Sequence, residues 1–580
     1  MRGLRTESSS RPPPTPPRRG GRRRGRRRRR RRWGRAPAAD RPCGLCYTAF
    51  VRWREQRSAP ARRVSTCLAL SSVLAAGLLV GCSEQVRSGS RPPDVLLLTV
   101  DTLRADYVTP ERTPAIWALM NSGVTFTRAT TPFPRTTPAL ASLFTGLRPE
   151  HHGSREVGQP RSAGRTLAER LHALGYATVG LTANPVSGRR QNLHSGFEVF
   201  VERSGMDSER ADALTDLALE RVRDIPPERP LFLWVHYMDP HWFYDPPRGY
   251  GPEAPGCRRL IQAVRARKIP SGRLYADVGG VASKVAAECR ALYGAEIAFV
   301  DAQLRRLLAG LETLGRRERA VVVFTTDHGE SLGEESLWYE HGPHLDESVV
   351  HVPLAIAAPG LPRGGQDDGV ARLEDVMPTV MDLVGHTTER VDGESLLPRV
   401  RGEGPGPTLA FAESGNALHM GYVAALRAGP WEGPYCIHGP RFSLCGPPGQ
   451  RPKLHDRLHD PELRVDVSAA HPKVRARLLE ARRRWRPLAA RQRMVCDGRF
   501  KLVARPQLEG GYALSLYDLQ ADPRGQAEVR KALPEVRSRL EEALDRYVRG
   551  LGAPQVARPE RGGAVDPQTA ADLRALGYTE

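Results

Sequence analysis

The sequence predicts an α/β fold, a mostly parallel sheet flanked by helices, with a small α+β subdomain after it. Three observations carry this. Short, wholly apolar runs alternate with helix-like patterns from residue 93 to about 400, as in repeated βαβ units. Several of those runs end in Asp, His or Thr, where a parallel sheet places its working groups. A strand-turn-helix unit then occurs twice near the C-terminus.

The elements follow in order. "DVLLLTVDTLRADYV" is a buried strand ending at Asp101, and "TPAIWALMNSG" is a helix with a glycine stop. "RTTPALASLFTGLRPEHHG" (135–153) is a turn running into a helix, with Pro138 near its start and Gly146 as its stop. "RTLAERLHALGYATVGLTANP" is a helix and then a strand. "PLFLWVHYMDPH" and "RAVVVFTTDHGE" are strands that each lead into Asp and His, "VPLAIAAPG" is a further strand, and "EDVMPTVMDLVG" is a helix. These place an α/β catalytic domain at 93–410 and a C-terminal subdomain at 411–580. Within the latter, 453–485 and 515–547 superpose without a gap at an offset of 62. Asp456 falls on Asp518, Asp460-Pro461 on Asp522-Pro523, and Val467, Pro472, Val474 and Leu478 on Val529, Pro534, Val536 and Leu540. "RFSL" (441–444) and "RFKL" (499–502) precede the two units as strands.

The net charge of +22 is unevenly spread: residues 1–35 hold 16 Arg and one acid, and residues 82–580 carry only +3. Residues 1–63 therefore read as a disordered leader that cannot fold alone, with a translation start expected further on, at Val51 or Val64. An Arg-rich arm suits nucleic acid, but a chain maturing downstream loses it, so no nucleic-acid partner is expected. Behind Arg62-Arg63, the apolar run 64–80 ends in Leu79-Val80-Gly81-Cys82. It is a little short for a membrane span and resembles a bacterial lipobox. That resemblance implies a signal at 64–82, lipid on Cys82, a polar tether at 83–92, and a lipid-anchored place in the cell envelope, on the periplasmic or outer-membrane side. Cys43 and Cys46 lie in the leader and carry no weight. In an oxidising compartment Cys257–Cys289 and Cys436–Cys445 are candidate disulfides with Cys496 left over, although sequence alone does not set pairing.

"TVDTLRAD", "TTPALASLFTGLRPEHHG", "HYMDPHWFYDPP", "FTTDHGESLGE", "EHGPHLDESVVHVPLAIAAPG" and "DGESLLP", in this order, resemble the sulfatase family of the alkaline phosphatase superfamily. "LYDLQADP" and "LRALGY" resemble its C-terminal part. The resemblance implies a divalent-metal ester hydrolase. Asp101, Asp327, His328 and Thr136 fall on the positions that hold one metal. Asp239, His241 and His341 are candidates for a second cluster, giving one or two ions per chain. His236 and His351 read as ordinary polar residues.

The departures are informative. Thr102 stands where the family has a second Asp, and His328 where Asn is common. This favours zinc or manganese, with calcium still possible. Thr136 stands where the family has Cys or Ser, followed by Ala139 and Leu140 in place of Ser and Arg. A threonine cannot be oxidised to formylglycine, because its Cβ already bears a methyl, yet its alkoxide can attack an ester centre. Asn184 is a candidate oxyanion contact. A plain helix cap is the other reading of Thr136, compatible with the first. The expected protein is an exported hydrolase of sulfuric or phosphate/phosphonate esters, with a small-molecule, glycan or lipid ester as substrate. The alternatives are a phospho-group transferase of the same superfamily and a non-catalytic envelope binding protein. The retained Asp101, Asp327 and His328 argue against the last.

Overall fold

A computed structural model describes residues 91–551, except 204–209, 267–280, 282, 335–337, 417–434, 439–441, 447–450, 457–458, 461–463, 485–490, 507–511 and 530–532. The Arg-rich leader, the signal and Cys82 lie outside the described residues. Among those described, no helix is long and apolar enough to cross a membrane.

The first strands are β1 (Val95–Val100), β2 (Val124–Thr130), β3 (Ala177–Thr182), β4 (Val199–Glu202), β5 (Leu231–Tyr237) and β6 (Val321–Thr326). A short hairpin, β7 (Ser331–Leu332) and β8 (Trp338–Glu340), precedes β9 (Leu354–Ala357) and β10 (Gly365–Arg372). The main sheet has the order β10-β2-β9-β6-β1-β5-β3-β4. β9 runs antiparallel to both its neighbours, and every other pair is parallel.

Both faces of this sheet are apolar, which is why its central strands read as unbroken hydrophobic runs. Leu96, Leu98 and Val100 of β1 join one cluster, packed against helices Ala211–Arg223 and Ser283–Thr313. Val95 and Leu97 join the other, with Leu140, Leu143 and Phe144 of helix Thr136–Thr145. Cys257 and Cys289 form a disulfide between helices Pro255–Arg265 and Ser283–Thr313. Cys496 is free and buried, and burial pushes its thiol up to about 12, which makes it unreactive.

The C-terminal strands are β11 (Ala410–Asn416), β12 (Tyr435–His438), β13 (Phe442–Gly446), β14 (Lys453–Asp456), β15 (Arg491–Cys496), β16 (Phe500–Pro506) and β17 (Tyr512–Asp518). They form the sheets β11-β15-β16-β17 and β12-β13-β14. The repeated unit has repeated hydrogen bonds. Phe442 pairs Asp456 as Phe500 pairs Asp518, and Val467 N donates to Leu454 O as Val529 N donates to Leu516 O. β12 and β13 set Cys436 opposite Cys445 in the backbone register; their side chains lie outside the described residues.

The first strand of the C-terminal part is tied into the catalytic part by charge. Glu413, 1% exposed, pairs with Arg155 and Arg493, and its own amide donates to Pro132 O at 3.0 Å. Burial alone would raise its pKa, but the charges of Arg155, Arg493 and Arg491 outweigh that and hold it at about 2. A depressed carboxylate stabilises the fold above its unfolded pKa, and the contribution is lost as pH falls toward the folded value. Glu413→Gln is therefore expected to lose about 3 kcal/mol of stability at pH 7. The gap to the wild type should close as pH falls from 4.5 toward 2. Denaturant unfolding across that range checks it, and equal stabilities at pH 7 contradict it.

Candidate active site

The site is built at the carboxyl ends of three adjacent strands and the start of one helix. β1 and β6 are neighbours in parallel register, Val100 beside Thr326, so Asp101 and Asp327 emerge side by side. Both are fully buried, as is His328. One ligand atom from each of the three lies within 4.8 Å of the others, the sole such grouping among the described residues.

Two buried carboxylates at this separation repel. Asp327 is pushed up by burial and by the Asp101 charge. For Asp101 burial is outweighed by a hydrogen bond from His236 and by nearby imidazoles, which hold it at about 2. Asp101 Oδ1, Asp327 Oδ2 and Thr102 Oγ1 are buried without a hydrogen-bond partner, which is costly unless something else satisfies them. Orphaned hard oxygens around one imidazole fit a divalent cation. Thr102, in the place of a second carboxylate, has φ +54°, and its amide faces Asp327 Oδ1 at 3.3 Å.

Thr136 is the first residue of helix Thr136–Thr145. The preceding Arg135 is the N-cap residue and no side chain caps the helix, so the Thr136 hydroxyl is not spent on capping. Thr136 is fully buried, with Oγ1 3.4 Å from His328 Nε2 and 3.5 Å from Asn184 Nδ2. The helix start adds a partial positive charge there. Thr137 is turned elsewhere, donating to Val186 O at 2.6 Å. Asn184 also donates to Asp101, which bridges the hydroxyl and the carboxylate pair.

Two further histidines reach the same place. The His341 ring lies 4.2 Å from that of His328 and 5.2 Å from that of His241, centroid to centroid. Burial depresses the pKa of both; the Asp101 charge partly offsets this for His241, whereas the neighbouring imidazoles and Arg135 push His341 lower still. Asp239 does not join them. Its carboxylate accepts from Ala211 N at 3.1 Å at the start of helix Ala211–Arg223, and burial lifts it to about 6. The expected Asp239–His241–His341 metal cluster is thus corrected to a pair of histidines beside the Asp101 group. Asp239 is drawn off because it serves the helix terminus.

Two contributors, Glu330 and Arg135, were not singled out by sequence, and a third, His236, was read there as an ordinary polar residue. His236 stands behind Asp101, its Nε2 3.3 Å from Oδ2 and its Nδ1 2.9 Å from Thr99 Oγ1; a His one strand over in a carboxyl-end register was the available signal. Glu330, three residues after Asp327, lies 3.1 Å from His341 Nδ1. Arg135 is buried, with Nη1 3.6 Å from Glu340 Oε1. Its guanidinium packs so closely on Gly342 that an added Cβ would lie 2.2 Å from Cζ, and Gly342 has φ +109°. The positive φ favours glycine there, and its missing side chain leaves room for the Arg135 guanidinium. Leu140, in contrast, is fully buried in the apolar cluster, where an arginine would have no partner.

The family model for the sulfatases matches residues 93–386, a span that holds every residue of this site. The chain belongs to the sulfatase family. A choline-sulfatase of Rhizobium meliloti (strain 1021) is 28% identical over 43% of this chain and 51% of its own length, so the chain spans about half of that relative. An arylsulfatase of Clostridium perfringens (strain 13 / Type A) is 24% identical over 52% of the chain and 77% of its own. A phosphonate monoester hydrolase of Agrobacterium radiobacter shares the fold, with a TM-score of 0.54, 22% identity, and 79% and 95% of the two chains covered.

Sulfatases depend on a metal, and the Asp101–Asp327–His328 group is where this one would hold it. Asp101→Ala is expected to abolish metal binding and turnover together. His236→Ala, which only loosens a ligand, should weaken affinity about 10–100-fold. Metal analysis of the purified variants with matched turnover assays checks both. Full metal content in Asp101→Ala contradicts the assignment.

Proposed function

We propose that this protein is an exported, metal-dependent hydrolase that uses Thr136 as an alcohol nucleophile. It cleaves phosphate or phosphonate esters faster than the matching sulfuric esters. One observation carries the reading: an uncapped, fully buried Thr136 hydroxyl at the nucleophile position, 3.4 Å from His328 Nε2 and beside the carboxylate pair. Asp101, Asp327 and His328 would hold a divalent cation, zinc or manganese in preference to calcium for so few carboxylates, which when bound would supply the charge that favours the Thr136 alkoxide.

The chain's own residues supply the rest. Thr136 Oγ1 attacks the central atom of the ester. Asn184 stabilises charge on a non-bridging oxygen. His241 and His341 handle protons on the leaving group and the attacking water. His241 is oriented for this by its Nδ1, 2.6 Å from Trp242 O. Without a formylglycine hydrate, a Thr ester is released by water attack at the central atom, which suits phosphorus better than sulfur. The relatives' names cover both ester types, as choline-sulfatase and arylsulfatase on one side and phosphonate monoester hydrolase on the other. The substrate class is a small-molecule, glycan or lipid ester. Export and a lipid anchor on Cys82 rest on the Leu-Val-Gly-Cys sequence, and the Cys257–Cys289 disulfide supports an oxidising compartment.

Thr136→Ala is expected to lower turnover by about 10³-fold or more. Thr136→Ser should keep part of it, and Thr137→Ala most of it. Rates on paired aryl phosphate, phosphonate and sulfate esters check this. A preference for sulfate that does not depend on Thr136 would sink the mechanism. Mass spectrometry of the exported protein should find Cys82 acylated at the N-terminus; an unmodified N-terminus elsewhere contradicts the anchor.

A further inference from the structure

Glu330 has no place in the reaction as described so far. It is fully buried in the turn after β6, three residues from Asp327. Arg104 Nη1 donates to its backbone oxygen at 3.1 Å, which pins that turn. Its Oε1 lies 3.1 Å from Nδ1 of His341. The backbone amide of Trp242, next to His241, also lies against this carboxyl group. One side chain therefore holds both histidine loops. A carboxyl group on one ring nitrogen sets the tautomer and orientation of an imidazole and leaves the other nitrogen for chemistry.

We propose that Glu330 is the positioning residue that makes His341 the proton donor to the leaving oxygen. This rests on the Thr136 hydrolase reading. One proton lies in the Oε1–Nδ1 contact and one on Nε2. As the bond from Thr136 Oγ1 to the central atom forms, the bond to the leaving oxygen breaks with its electron pair. That oxygen takes the Nε2 proton, and the shared proton ends on Nδ1, so the ring stays neutral. Water then attacks the Thr136 ester and gives a proton to Nε2. Thr136 leaves as the alkoxide and the shared proton moves back toward Oε1. Glu330 touches no substrate and acts through His341 alone.

The test is a series of aryl and alkyl phosphate monoesters whose leaving groups span a wide range of basicity. It is run on the metal-loaded wild type, Glu330→Gln, Glu330→Ala, His341→Ala and the double variant Glu330→Ala/His341→Ala. Good leaving groups such as p-nitrophenolate do not need the proton and poor ones do. Glu330→Ala and His341→Ala are expected to slow formation of the Thr136 ester in a single turnover by about 10²–10⁴-fold on the poorest leaving group and by less than about 10-fold on p-nitrophenyl phosphate, while hydrolysis of that ester, common to every substrate, slows equally for all. The double variant should be no worse than His341→Ala, since the two act as one unit. Glu330→Gln has the same shape and keeps the ring in place but has no proton to share with Nδ1, so it should match the loss of Glu330→Ala on poor leaving groups rather than recover it. Metal content should be unchanged throughout. A loss in the ester-forming step that is uniform across leaving groups, or a double variant whose losses multiply, overturns the proposal even where Thr136 remains essential. Turnover that does not depend on Thr136 would instead overturn the hydrolase reading beneath it.

Discussion

Two like charges side by side at the end of a parallel sheet set the terms for the rest of this molecule. β1 and β6 run in register, so Asp101 and Asp327 cannot avoid each other, and both are sealed from water. Such a pair is tolerable only with positive charge and donors gathered around it. The surroundings comply: His236 and Asn184 act on Asp101, and His328 and a backbone amide act on Asp327. The helix beginning at Thr136 points its positive end at the same place. What remains without a hydrogen bond, one oxygen on each carboxylate and the Thr102 hydroxyl, is what a divalent ion needs.

The same constraint supports the proposed reading, in which the family frame works with Thr136 in place of the usual Cys or Ser. A hydroxyl beside a cation is useful whether it belongs to a hydrate or to a plain alcohol. In the proposed reading Thr136 takes that position as a plain alcohol, since a threonine has no formylglycine route. The surroundings are consistent with it. Leu140 is buried in the apolar core, and Arg135 pairs with Glu340 over Gly342.

Much of this was legible in sequence because strand ends announce themselves. An apolar run that stops at Asp101, or at Asp327-His328, carries its own address, and Pro138 with Gly146 framed the helix of Thr136. Partners set by register between distant segments were not legible. His236 reaches Asp101 only because β5 lies beside β1, with Thr99 opposite His236. Glu330 reaches His341 only through the turn around β7 and β8. Asp239 was misread for a related reason. Its spacing to His241 resembles a ligand pair, but a helix start 28 residues earlier in the chain claims its carboxylate. The repeat in the C-terminal part was visible because it is gapless, and its meaning, two strand-turn-helix units with matching hydrogen bonds, needed the structure.

The central claim is that Thr136 itself becomes esterified during turnover. The direct measurement is to quench the metal-loaded protein during steady-state cleavage of a slow phosphate ester and map the peptides by mass spectrometry. A phosphoryl group on the peptide containing Thr136, absent before substrate and lost again as substrate runs out, is the expected result. Sustained turnover with that peptide unmodified at every time point, and a modified residue elsewhere, would contradict it.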